Sequence, residues 1–176
     1  MLAIVPARGG SRGVPNKALR TVASVPLILR TLRCVEASGV ATRIVISTDS
    51  PKIKSFCELR GFEVLDRPAE LAADDVPLAD VIRHAVEALD WTEGTVGCFQ
   101  PTCPLLRPET VGAVAFSFDA NGWDWAITAS ADPHIHWDEA GPLTERKQRQ
   151  ALQTLMVESG AVQLMTAEYA RRGGLE

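Results

Sequence analysis

Apolar positions change period in a regular order along this chain. LAIVP at 2–6 is a short apolar run that breaks into RGGSRG, the pattern of a buried strand ending at a glycine-rich loop. From Pro26 to Gly39, Leu27, Ile28, Leu32 and Val35 mark one face at helical spacing, with Pro26 suited to a first turn and Gly39 to a stop. RIVIS at 43–47 predicts a strand, the segment from Pro51 to Gly61 a helix, and FEVL at 62–65 another strand. The same criteria predict helices from Pro77 to Asp90 and from Pro108 to Gly122, and strands at 95–100 and 124–130. Strands and helices alternating at these lengths imply crossover units. The fold class is therefore α/β, with three αβα layers around a mostly parallel sheet. After Ala129 the alternation stops. The polar stretch 131–155 reads as an excursion from the sheet, a hairpin or a dimer arm, with helix also open from Glu145 to Thr154. SGAVQLMT then predicts a late strand and AEYARRGG a last helical turn, with Gly173 and Gly174 reading as a connector.

Composition narrows the picture without naming a function. At 176 residues, 46% apolar and 23% charged, the chain reads as one globular domain over 1–176. No apolar run approaches the ~20 residues of a membrane span, and MLAIVPARGG meets glycine and arginine too early for a signal peptide. A cytoplasmic protein is expected. With 18 basic and 22 acidic side chains the net charge is −4, which argues against nucleic acid or an anionic membrane as partner. Any anion site must be local. Cys34, Cys57, Cys98 and Cys103 lack metal-ligand spacing and are expected as reduced thiols.

The loop after the first strand carries the strongest chemical signal. In an open parallel sheet this loop is a preferred phosphate site, and ARGGSRGVPNK occupies it. Gly9, Gly10 and Gly13 let backbone N–H groups approach an anion, while Arg8, Arg12 and Lys17 offer charge-assisted contacts to phosphate oxygens. The pattern is neither GxxxxGK[ST] nor GxGxxG, so P-loop and dinucleotide-binding readings lose ground.

VPARGGSRGVPNKAL resembles the nucleotide-binding signature of the acylneuraminate cytidylyltransferases, which make CMP-sialic acid and related CMP-activated acids. ISTDS at 46–50, RPAELAAD at 67–74, QPTCPLLRPE at 100–109, and ERKQRQALQ followed by ESGAV resemble that family's later motifs in the same order. The resemblance implies a sheet like that of the nucleotide-diphospho-sugar transferases, and a homodimer formed through the excursion. It also implies nucleotidyl transfer: the anomeric hydroxyl of a 2-keto-3-deoxy sugar acid attacks the α-phosphorus of CTP in line, pyrophosphate leaves, and Mg2+ bridges phosphate oxygens. Arg8, Ser11, Arg12 and Lys17 match the triphosphate-holding positions, with Lys17 at the α-phosphate. Arg67 and the turn through Asp74, Asp75 and Val76 match the cytosine-reading region. Gln100 matches a residue contacting ribose and acceptor, Thr102 and Trp137 fall with it on the acceptor side, and Arg149 matches an arginine that neutralises the acceptor carboxylate.

Several residues depart from the family pattern. Ala18 stands for Asn, Cys103 for Ser, Leu106 for Arg, Ser159 for Asn and Gln163 for Tyr, which implies a different acceptor pocket. The acceptor could thus be another acid, such as a phosphonate. The family's metal-holding carboxylates would lie beyond Glu176, so no metal ligand is assigned. The sequence is then either a piece of a longer chain or a short variant that binds nucleotide with weak or no turnover. Asp49 is the nearest retained carboxylate and equally an N-cap for the helix after Pro51. Asp74 and Asp75 also read as caps, His84 as a surface or capping group, His134 and His136 as loop chemistry, and Trp123, Trp125 and Trp137 as packing.

Overall fold

In the computed structural model, which describes residues 1–10, 13–143, 148 and 154–173, the opening apolar run forms strand β1 (Leu2–Pro6). Its alternate residues divide the core, Ala3 and Val5 joining one apolar cluster and Leu2 and Ile4 the other. A short hairpin, β2 (Thr21–Val22) and β3 (Val25–Pro26), turns through Ala23 and Ser24 at positive φ and delivers the chain to helix α1 (Leu27–Ser38). Gly39 ends α1 in the left-handed conformation, as its position predicts.

The alternation continues through β4 (Arg43–Thr48), α2 (Pro51–Glu58), β5 (Glu63–Asp66), α3 (Leu78–Ala88), β6 (Thr95–Phe99), α4 (Pro108–Asn121) and β7 (Trp125–Asp132). A two-stranded turn follows, β8 (Trp137–Asp138) against β9 (Gly141–Pro142). The chain returns as β10 (Leu155–Thr166) and closes on α5 (Ala167–Arg172).

Six strands form one sheet in the order β5-β4-β1-β6-β10-β7. β1 is parallel to β4 and β6, and β4 to β5, whereas β10 runs antiparallel to both β6 and β7. One reversed strand in six keeps the sheet mostly parallel. Ile28, Leu32 and Val35 of α1, Ile53 of α2, and Val111 and Phe118 of α4 pack in one cluster. Ile82, Ala85 and Val86 of α3 with Ala167 and Ala170 of α5 pack in the other. The three-layer α/β/α architecture follows.

Three boundaries differ from expectation. The helix from Pro51 stops at Glu58 rather than Gly61, because Arg60 and Gly61 N–H groups turn back onto Cys57 and Glu58 carbonyls at 3.0 and 2.9 Å. The late strand starts at Leu155, four residues before SGAVQLMT. It is interrupted by a bulge between Glu158 and Gln163, where Thr128 Oγ1 lies 2.7 Å from Ser159 Oγ and accepts the Val162 N–H at 3.1 Å. Of the expected excursion, Ala131 and Asp132 continue β7; most of the helix considered from Glu145 to Thr154 lies outside the described residues. His84 is half-buried within α3 and caps neither of its ends.

Candidate active site

Strand order reverses at β1. The chain moves out through β4 and β5 on one side and comes back to β6 on the other, which leaves a crevice at the carboxyl ends of β1 and β6. A cavity of about 270 Å³ lies there. Arg8, Lys17 and Arg67 supply its cations, and Leu71, Leu78 and Val81 its apolar side.

Each cation is placed by a different local device. Arg8 follows β1 directly, and its guanidinium donates to Ala73 O at 3.2 Å and pairs with Asp74 Oδ1 at 2.6 Å. Lys17 opens a 3₁₀ turn (Lys17–Leu19) after Asn16, which sits at φ 54. Arg67 is almost wholly buried: Nε donates to Ser47 Oγ at 3.1 Å and Nη2 to Ser47 O at 2.7 Å. Burial pulls its pKa down, and the negative charge of Asp49 works against that.

The far wall comes from the segment after β6. Gln100, Pro101 and Thr102 line the cavity, and Gly160 at φ +65 packs under Gln100, where a Cβ would stand 3.4 Å from Nε2. Cys103 Sγ donates to Ser159 O at 3.2 Å and so ties this segment to the bulge in β10.

The cavity thus brings together Arg8, Lys17, Arg67, Asp74, Val76, Gln100 and Thr102 from the residues singled out in the sequence. Gly9, Gly10, Gly13, Asp75 and Trp137 are not among its described lining; Ser11, Arg12 and Arg149 lie outside the described residues. Trp137 is exposed on β8. Gly9 also differs from its expected role, because its N–H is already donated to Asp49 Oδ1 at 2.8 Å. Neither local reading of the acids holds. The residue capping α2 is Ser50, whose Oγ accepts from Ile53 N, and α3 is preceded by Pro77 with no side-chain cap. Asp49 and Asp74 instead make contacts distant in sequence. Leu71 and Ala73 lie within the RPAELAAD stretch, whereas Leu78 and Val81 carry no local motif that marks them.

The residues present do not by themselves fit the magnesium ion that the family resemblance implies. Among the described residues no group of three or more His, Cys, Asp or Glu could hold a metal ion. The two carboxylates touching the loop are committed, Asp49 to Gly9 and Asp74 to Arg8.

Fold and cavity define the class as an open α/β sheet with a cation-lined crevice where strand order reverses. A family model described as cytidylyltransferase matches residues 2–153. The N-acylneuraminate cytidylyltransferase of Escherichia coli is 33% identical over 105 residues, 60% of this chain and 25% of that protein. The 3-deoxy-manno-octulosonate cytidylyltransferase of Rhodopseudomonas palustris is 32% identical over 143 residues, 80% of this chain and 56% of that protein. A solved CMP:2-keto-3-deoxy-manno-octonic acid synthetase complexed with CTP shares the fold at TM-score 0.77 and 14% identity, over 98% of this chain and 76% of that one. The chain belongs to the cytidylyltransferase family. It spans about half or less of the length of these curated relatives.

Proposed function

We propose that the cavity binds CTP and that the protein transfers CMP to the anomeric hydroxyl of a 2-keto-3-deoxy sugar acid, releasing pyrophosphate. The observation that carries this reading is the pairing of Arg8 and Lys17 with an apolar wall in one cavity at the switch point. Cations suit a triphosphate and the apolar side suits a base. The names of the two relatives, which act on N-acylneuraminate and 3-deoxy-manno-octulosonate, support an acidic sugar as acceptor.

In this reading the acceptor oxygen bonds to the α-phosphorus as the bond to the bridging oxygen breaks, and the acceptor's proton passes to solvent. Arg8 holds the phosphates in ground and transition states alike. Lys17 faces the charge that shifts as pyrophosphate leaves. Arg67 and the Asp74–Asp75–Val76 turn read cytosine and Gln100 and Thr102 serve the acceptor in the cavity, while Arg149 and Trp137, from the 131–155 excursion, serve the acceptor of a second copy. Magnesium enters as counter-ion of the nucleotide's own phosphates, with no ligand assigned to this chain.

The same reading includes a homodimer. Leu155, Met156 and Val157 of β10, Trp137 and Leu143 are exposed large apolar side chains in or beside the ribbon that β10 forms with β7. All four cysteines are free, which supports a cytoplasmic setting. No helix of the described residues is long and apolar enough to cross a membrane.

The test is product formation. Protein, CTP and magnesium are incubated with 3-deoxy-manno-octulosonate or N-acetylneuraminate, and CMP-sugar and pyrophosphate are measured. Equal amounts of both products are expected with one of these acids. Hydrolysis of CTP without a CMP-sugar would contradict the reading.

A further inference from the structure

Four consecutive residues at and just beyond the end of β4 hold the segments around the cavity and the start of α2. Ser47 O accepts the Ala7 N–H at 3.0 Å and Arg67 Nη2 at 2.7 Å. Thr48 O accepts the Arg67 N–H at 2.8 Å. Asp49 Oδ1 accepts the Gly9 N–H at 2.8 Å, and Ser50 Oγ caps α2. The loop is seated closely on this segment, since a Cβ on Gly9 would meet Ser50 Cβ at 3.0 Å and Asp49 Oδ2 at 3.6 Å.

Asp49 is not needed as a helix cap, because Ser50 fills that role. Its negative charge also opposes any anion in the cavity. What it contributes is an acceptor oxygen at the first amide of the glycine loop, bridging residues forty apart in sequence. Arg8 lies immediately before that amide, so the bond restrains the peptide carrying the Arg8 side chain toward Ala73 and Asp74.

We propose that Asp49 is a positioning residue of the anion loop, which holds the Gly9 N–H and thereby directs Arg8 into the cavity. The inference rests on reading the cavity as a triphosphate site. It distinguishes the acceptor oxygen of Asp49 from its charge. An asparagine keeps the oxygen and loses the charge; an alanine loses both.

Calorimetry with inorganic triphosphate, CTP and cytidine on wild type, Asp49→Asn and Asp49→Ala tests this. Asp49→Ala should bind triphosphate and CTP about tenfold more weakly, the scale of one lost hydrogen bond. Asp49→Asn should stay within about threefold of wild type or bind more tightly, since one like charge is gone. Cytidine, lacking phosphate, should bind all three proteins alike. Equal weakening in Asp49→Asn and Asp49→Ala would show that the charge matters and overturn the proposal, as would unchanged binding in Asp49→Ala. Amide exchange at Gly9 needs no loss-of-function variant: protection in wild type and Asp49→Asn is expected, and fast exchange in the folded wild type would overturn the proposal. Wild type that binds triphosphate without favouring CTP defeats the cytidine reading while the Asp49 comparison still decides. Binding of neither ligand defeats both.

Discussion

Arg8 and Asp74 bridge the cavity from the glycine-rich loop to the turn before α3, with Nη2 2.6 Å from Oδ1 and a further bond from Nη1 to the Ala73 carbonyl. Both side chains are about one-third exposed, at 31% and 34%. A pair this wet contributes about 0.2–1 kcal/mol to stability. In the proposed reading, a triphosphate draws Arg8 away from Asp74 at small cost, and the bridge keeps the guanidinium in place until it does.

Replacing Arg8 by Ala should accordingly separate stability from binding. The melting temperature should fall by no more than about 2–4 °C for a chain this long. CTP affinity should fall roughly ten- to a hundredfold, since a charge-assisted contact contributes about 1.5–3 kcal/mol. Calorimetry beside a thermal melt checks both. Unchanged CTP affinity in a folded Arg8→Ala protein would remove the loop from the phosphate site.

Lys17→Ala should behave differently. Its position in the 3₁₀ turn puts it farther along the loop, where the proposed reaction redistributes charge at the α-phosphate. Turnover should drop more than CTP binding, read as kcat against Kd. A loss confined to Kd, with kcat intact, would contradict the role given to Lys17.

Much of the fold was legible because punctuation residues coincide with periodicity. Pro26 and Gly39 bracket α1, and Pro108 and Gly122 bracket α4. The early start of β10 was not legible, since the bulge is made by Thr128 and Ser159, thirty-one residues apart. The candidate site divides in the same way. A glycine-rich loop with Arg8 and Lys17 announces itself locally. Asp49 and Asp74 sit before helices and read as caps, yet one binds a loop amide forty residues away and the other pairs with Arg8. Long-range hydrogen bonds leave no periodic trace, and Leu78 and Val81 of the apolar wall look like any core face of a helix.

The cysteines give a pH-dependent prediction. Burial pushes the Cys98 thiol up to about 12 and the Cys57 thiol up to about 11. Both stay protonated in the folded protein at mildly alkaline pH, where the unfolded chain's thiols ionise. Stability held below the ordinary thiol range is therefore lost as pH rises through about 9 to 12. In native protein at pH 8, a thiol reagent should modify half-buried Cys103 and spare Cys57 and Cys98. Rapid labelling of Cys98 before unfolding, read by mass spectrometry, would contradict this.

The ribbon of β7 and β10 makes the proposed dimer testable. Met156 is 67% exposed, in an apolar run with Leu155 and Val157. Wild type should sediment as a dimer at micromolar concentration and Met156→Glu as a folded monomer, because a buried unpaired carboxylate opposes association. A monomeric wild type would end the proposal.

Calorimetric titration of wild-type protein with CTP and then UTP asks whether the cavity reads cytosine. The two nucleotides share every phosphate and differ at the base edge, so the comparison isolates cytosine reading from anion binding. A mispaired buried hydrogen bond costs about 1–3 kcal/mol, so CTP should bind roughly ten- to a hundredfold more tightly than UTP. Equal affinity for CTP and UTP would mean that the cavity does not read cytosine.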